Sequence, residues 1–555
     1  MENDTIRIPC DGFAISLRRD SFDILVGGSH FFTVSPISAV STKNKADQDD
    51  ADSLRLDIFY EDGAVIARWT SRSSLWERKE YLLRIEKALF HYSVRVYGNE
   101  IPHHIDYFCG ALLVGKPGIL YNTAAYLYPQ PRLGTETHIY SMAEDNKISM
   151  QLMVPPPLCF PFRTEEASDW FGIGLTAENE SYHFDGFSYR NVKERARFSV
   201  DLYGETQVNG EWCSPGILGC PGADEWAVLR SYAAWHYQNG CHPTERAPAR
   251  WWYGPLFCGW GEQAILKWKY HTDIYGAASE AVYTDISEHL DRLGLRPTAI
   301  IIDDKWQKEY GTFLPDPAKW PDLRGFADRE HAKGRRVLLW YRCWSPEGLP
   351  ADECILKDGV PAAGDPTNPR YIERVKNTIH TLLSEEAGCF GCDGFKIDFA
   401  DWVPTGEGLV TYEPGVYGIE LVKRLLRLIY DAAKNAKPDA LVSASGCHPY
   451  FADVTDMARL HDYDARQRCV KSSMSFRAKL YRTMLPEALI DTDFPAFSGR
   501  DESMKYLRFA PELGVPDLYR LSNTDECALT DGDWEEVRAI WDGYEKKIRL
   551  KFDLQ

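Results

Sequence analysis

The stretch Asp393-Gly394-Phe395-Lys396-Ile397-Asp398-Phe399-Ala400-Asp401-Trp402 places a lysine and an aspartate two residues apart in a largely apolar run. Such a run reads as a short buried strand, and residues two apart on a strand share a face. Burying an ammonium or a carboxylate is costly unless each is paired or hydrogen-bonded. Taken alone, the pair describes a structural ion bridge at a strand end. Its company along the chain points to chemistry. Polar, charged and aromatic residues recur where comparable apolar runs end: Trp260-Gly261-Glu262, Asp303-Asp304-Lys305-Trp306, Arg342-Cys343-Trp344, Ser445-Gly446, Arg459-Leu460-His461-Asp462-Tyr463-Asp464 and Asp491-Thr492-Asp493.

Carboxylates gathered with tryptophans suit cleavage of a glycosidic bond. One carboxylate attacks or activates water, and a second protonates the leaving oxygen. A nearby cation favours the ionised form of a carboxylate, so Asp398 beside Lys396 fits the nucleophile. The acid partner must keep its proton near neutral pH, through partial burial or a neighbouring carboxylate. Asp462 and Asp464 both qualify, and the residues alone do not choose between them. Asp303, Asp304, Asp491 and Asp493 could offer oxygen ligands to a divalent cation. No HxH or HExxH pattern accompanies them, so neither a metal nor another cofactor is expected. A serine nucleophile is disfavoured by the absence of G-x-S-x-G.

The elements that must position these groups fall into two regions. Residues 1–245 carry short β-type runs such as Leu54–Tyr60, Ala64–Trp69, Phe90–Tyr97 and Phe198–Tyr203, punctuated by turns like Glu61-Asp62-Gly63. They predict a large antiparallel sandwich, with a helical linker over Ala223–Gln238. Residues 246–555 alternate strand and helix. Strands are expected at Tyr253–Trp260, Thr298–Trp306, Arg336–Trp344, Gly394–Phe399, Ala440–Gly446, Met457–Asp464, Ala488–Phe494 and Val515–Ser522. That rhythm predicts an α/β fold, a (β/α)₈ TIM barrel, whose catalytic groups come from the C-terminal strand ends. A doubly wound sheet is the runner-up, but no Gly-rich phosphate loop opens a helix.

Composition narrows the class. A net charge of −19 over 555 residues argues against nucleic acid and anionic membrane as partners. No apolar run approaches the roughly 20 residues of a membrane helix. The 13% aromatic content is compatible with sugar handling, and 14 scattered cysteines without a disulfide pattern suit the cytoplasm. The expected partner is an α-glycoside or oligosaccharide, and a homo-oligomer is compatible with the composition.

Ile301-Ile302-Asp303-Asp304-Lys305-Trp306-Gln307 resembles the "IIDDGWQ" segment of glycoside hydrolase family 36 α-galactosidases and the related raffinose synthases. Lys396-Ile397-Asp398 resembles the K-x-D of families 36 and 27, and Leu339-Trp340 through Trp344-Ser345-Pro346-Glu347 resembles their strand-three segment. The likeness spans about residues 250–525. It departs at Cys447-His448-Pro449, where family 36 has a glycine run, and at Phe399-Ala400-Asp401-Trp402. Family 31 α-glycosidases, with a K-T-D-F segment, are the second likeness.

The resemblance implies a retaining α-glycosidase acting on α-galactosides. Asp398 would be the nucleophile, with the acid/base at the end of strand six, where Asp462 and Asp464 stand. Asp303 and Asp304 would bind sugar hydroxyls, and Lys396 would hold one near the nucleophile. Trp260, Trp306, Trp340, Arg342, Trp344, Arg459 and Asp491 complete the expected substrate contacts. A transglycosidase, an α-glycosidase for another sugar and a sugar-binding pseudo-enzyme are the rival expectations.

Overall fold

A computed structural model of the chain describes residues 5–109, 113–114, 121–122, 137–141, 157–163, 169–192, 195–243, 245, 247–460, 470–493 and 499–553. In the N-terminal part, alternating burial builds two antiparallel sheets of ten and nine strands. Strand Phe90–Gly98 is typical: Phe90, Tyr92, Val94 and Val96 are buried, while the residues between them are more open. The inner faces meet through aromatic rings. Phe22 lies edge-on to Phe90 at 6.2 Å, and Phe32 edge-on to Phe162 at 6.0 Å.

A helix over Glu225–Gln238 leads away from the sheets, its first turn capped by the Asp224 carboxylate accepting from Ala227 N–H at 2.6 Å. It also ties the two regions together. Its Tyr232 hydroxyl lies 2.9 Å from His448 Nε2, and Tyr182 of the sandwich stacks on Tyr450 at 3.9 Å.

The second part is the expected barrel. Its strands are Leu256–Cys258, Ala299–Ile302, Arg336–Arg342, Gly394–Asp398, Leu441–Ala444, Met457–Arg459, Leu489–Asp491 and Asp517–Leu518, referred to below as strands one to eight. They run parallel in the order seven-six-five-four-three-two-one-eight. A parallel bridge from Asp491 to Val515 joins the remaining edges. Each strand is shorter than the stretch expected from the sequence, by residues at one or both of its ends.

The helices pack by one face. In Pro369–Leu383, Tyr371, Val375, Ile379, Leu382 and Leu383 are buried, a helical stripe, and Asn368 caps the start before Pro369. Between strands five and six a 3₁₀ segment, Pro449–Val454, takes the place of a full helix. A small sheet of Cys354–Lys357, Val360–Gly364 and Leu409–Val410 projects from the loops after strands three and four. It was not foreseen; Pro361 in one member and the two-residue length of another disguise it. Among the described residues no helix is long and apolar enough to cross a membrane.

Strand four is held close to strand five by a glycine. Gly394 pairs with Leu441 at φ +142°, and a Cβ there would lie 2.1 Å from the Leu441 carbonyl oxygen. Gly394→Ala is therefore expected to lower the unfolding free energy by about 2–3 kcal/mol. Urea unfolding reads this as a lower midpoint at unchanged slope; an unaltered midpoint would mean that the strands can part without cost.

Candidate active site

Strand four has the alternation that a barrel wall requires. Phe395 packs outside against Tyr341 at 5.7 Å, while Lys396 reaches across the interior. The Lys396 ammonium donates to Asp303 Oδ2 at 2.9 Å and to the Tyr519 hydroxyl at 3.1 Å, and it lies 3.3 Å from Cys258 Sγ. Strands four, one, two and eight are thereby joined at one atom. Burial alone would draw protons off this amine, but the surrounding charges, Asp303 first and then Cys258, together outweigh it and hold the Lys396 pKa well above the ordinary lysine value.

The expected proximity of Lys396 and Asp398 therefore takes another form: the lysine serves Asp303, and strand six supplies the cation beside Asp398. Arg459 is fully buried, with Nη1 3.2 Å from Asp398 Oδ1 and Nη2 3.1 Å from Asp493 Oδ2. Asp398 Oδ1 also accepts from Phe399 N–H at 3.0 Å, and Oδ2 accepts from the Trp340 indole at 3.1 Å. The Asp398 side chain keeps 15% of its surface open. Each carboxylate oxygen is thus fixed by a donor in the wall, at the open end of the barrel.

Asp303 and Asp304 part company, as adjacent residues leaving a strand do. Asp303 turns into the barrel toward Lys396, and its Oδ1 accepts from Asp304 N–H at 2.9 Å. Asp304 turns to the rim and accepts from the Tyr310 hydroxyl at 2.7 Å. Lys305 makes the turn at φ +71°. Burial is the main cause that pushes the Asp304 pKa up to about 6; the charges of Asp303 and Asp398 add to it, while Tyr310 and Arg342 oppose it.

Two further carboxyls lie under the rim. Burial and then the charge of Asp493 raise the Asp491 pKa to about 6. Asp517 is raised well above the ordinary range by burial, Asp491 and Asp493. Both hold protons more readily than free aspartates, which suits an interior where Lys396 and Arg459 are already engaged.

The remaining expected contacts divide. Arg342 is half-buried at the rim, 4.5 Å from the Tyr310 ring centroid. Trp260 is half-buried at the start of the helix after strand one. Trp306 is fully buried and donates its indole to the Trp340 carbonyl at 2.8 Å, so it supports strand three from within. Trp344, 8% exposed, donates to the Ala400 carbonyl at 3.0 Å and links the loops after strands three and four. Asp462 and Asp464 lie outside the described residues.

Reading the strand ends missed Cys258, Tyr310, Asp517 and Tyr519 as participants. Only Asp517 carried a visible signal, a carboxylate inside the apolar run Val515–Leu518. Left-handed backbone at Lys305, Trp344, Phe399 and Asp493 also marks this rim, and it is unusual for bulky residues. Among the described residues no three His, Cys, Asp or Glu side chains are grouped to hold a metal ion.

No family model and no curated protein sequence matches the chain. Solved structures do. A family 31 sulfoquinovosidase from E. rectale, determined with an aza-sugar inhibitor, superposes with a TM-score of 0.58 at 12% identity, over 96% of this chain and 82% of that one. The fold is one that glycoside hydrolases share. An α-galactosidase from Lactobacillus brevis gives 0.55 at 12% identity, over 98% and 83% of the two chains. A cycloalternan-degrading enzyme from Trueperella pyogenes gives 0.54 at 12% identity, over 98% and 83%. The likeness of this barrel and its antiparallel sheets thus extends to family 31 as well as to an α-galactosidase.

The environment of Asp304 has a consequence for stability. Its folded pKa of about 6 lies above the ordinary 3.8, so the folded protein holds more protons than the unfolded chain between those values. Stability from this group therefore falls as pH rises from about 4 to 6 and stays lower above. Asp304→Asn removes the titration, so relative to the parent it should gain roughly 1–3 kcal/mol on going from pH 4 to pH 7. Denaturant unfolding of both proteins at the two pH values checks this. Parallel pH dependence would place the titration elsewhere.

Proposed function

We propose that the protein is a retaining α-glycoside hydrolase with Asp398 as its nucleophile. The seating of Asp398 carries this reading: a partly open carboxylate at the barrel mouth, with both oxygens aimed by wall donors. A group so fixed is oriented for attack with little entropy left to lose. In the first step an Asp398 oxygen forms a bond to the anomeric carbon as the bond to the leaving oxygen breaks, and an acid protonates that oxygen. Asp462 or Asp464 is the proposed acid. In the second step the same residue takes a proton from water, which displaces Asp398 and frees the sugar. Asp304 and Tyr310 are placed to meet substrate hydroxyls, whereas Asp303 acts through Lys396.

The likeness of the strand-two and strand-four segments to family 36, together with the fold shared with the L. brevis α-galactosidase, supports an α-galactoside as substrate. The proposed setting is a reducing compartment such as the cytoplasm, in keeping with the free thiols of the described cysteines.

Asp398→Asn should lower kcat by a factor of about 1,000 or more with folding intact, because an amide does not attack the anomeric carbon. In the parent protein a 2-deoxy-2-fluoro α-glycosyl fluoride should leave its sugar on the peptide containing Asp398. Labelling of Asp303 instead would reassign the nucleophile. The sugar is decided by kcat/KM on aryl α-galactoside against aryl α-glucoside. A galactoside preference of tenfold or more is expected, since a hydroxyl of wrong configuration leaves buried acceptors unpaired. A better glucoside would retain the hydrolase and remove the galactoside.

A further inference from the structure

Four residues after Asp398 stands an indole that the barrel leaves uncovered. Trp402 is 52% exposed, a large apolar surface to leave in water. It ends a single 3₁₀ turn, Ala400–Trp402, held by Trp402 N–H donating to the Phe399 carbonyl at 3.0 Å and by the Trp344 indole donating to Ala400. Its ring is backed by Phe399 at 4.5 Å, and Phe399 lies edge-on to Trp340 at 5.9 Å. Trp340 in turn donates to Asp398. A row of rings therefore runs from the Asp398 carboxylate to solvent.

Arg342 lies alongside, its guanidinium 5.2 Å from the Trp402 ring and 5.3 Å from Phe399. Its Nε is buried without a hydrogen-bond partner, which native structures seldom leave so. Phe399 holds φ +56°, a conformation an aromatic residue adopts only when its surroundings impose it. The backbone is thus bent to present the indole at the solvent end of the row of rings that starts at Asp398. An apolar face beside a planar set of donors is the chemistry that takes a pyranose, whose C–H face packs on an aromatic ring while its hydroxyls accept hydrogen bonds.

From this geometry we infer that Trp402, with Arg342, forms a subsite for a second sugar ring on the leaving-group side of Asp398. The natural substrate is then an α-linked disaccharide or longer chain rather than a glycoside of a small alcohol. The inference rests on the hydrolase reading and specifies what is cleaved off.

The test compares two substrates of one sugar that differ in the leaving group. α-Galactosyl fluoride releases fluoride and offers the subsite no ring, whereas 6-O-α-galactosylglucose offers one. The glucosyl fluoride and isomaltose pair serves if the glucoside proves the better substrate. In Trp402→Ala the disaccharide-to-fluoride ratio of kcat/KM should fall at least tenfold, chiefly through KM, and Trp402→Phe should restore most of it. If both substrates decline together and the ratio holds, Trp402 merely supports Phe399 and the subsite is refuted. A parent protein inactive on both fluorides would defeat the hydrolase reading instead. Calorimetry with the disaccharide then decides the subsite, since binding to the parent that weakens at least tenfold in Trp402→Ala upholds it and equal binding overturns it.

Discussion

The bond between Lys396 and Asp303, 2.9 Å across the barrel interior, is the contact from which the rest of the site takes its shape. Neither ion is exposed by more than 4% of its side chain, so each relies on the other for compensation. Because the partners come from strands four and two, and because Cys258 and Tyr519 meet the same ammonium from strands one and eight, the contact fixes the relative height of four strands. The depth at which those strands turn outward, and so the level of the rim, follows from it. Removing either ion would leave a buried charge uncompensated, a loss of several kcal/mol in proteins generally.

A second cation repeats the device on the other side. Arg459 lies between Asp398 and Asp493, and its donors orient the Asp398 carboxylate, which still faces the opening. Five aspartates converge on two cations. Burial raises the pKa of two of them, Asp491 to about 6 and Asp517 well above the ordinary range, while Lys396 and Arg459 pair with Asp303, Asp493 and Asp398. The pattern separates carboxyls that are spent on architecture from those left for a ligand. Asp304 belongs with the latter, since among the described residues its side chain bonds only the Tyr310 hydroxyl at the rim.

This division was only partly legible in the chain. The strands could be read because an apolar run of five or so residues between turn signals has few other destinations, and the helices because their stripes recur at helical spacing. The polar residues stood out at strand ends because charge within an apolar run is costly. Which charge answers which was not readable. Lys396 precedes Asp398 by two residues yet pairs with Asp303, 93 residues away, because strand direction sends its long side chain across the barrel. Cys258 and Tyr519 look like ordinary core residues, and Tyr310 like an ordinary loop residue, until the barrel closes around them. The tryptophans misled differently: an indole has a polar end that must be satisfied, and Trp306 spends it on a strand carbonyl, where no substrate reaches.

The junction of sandwich and barrel bears on how such a site can diversify. Loops at the mouth of a barrel are ordinarily the part a lineage can rewrite, since they touch little else. Here the loop after strand five is sealed on its outer side. Tyr450 is stacked on Tyr182, its hydroxyl meets Glu420 at 2.6 Å, and His448 faces Tyr232 in a setting where burial keeps the imidazole neutral. An insertion there would have to displace the neighbouring sheets. One arc of the opening is in effect set in masonry, and novelty in substrate must enter through the other loops.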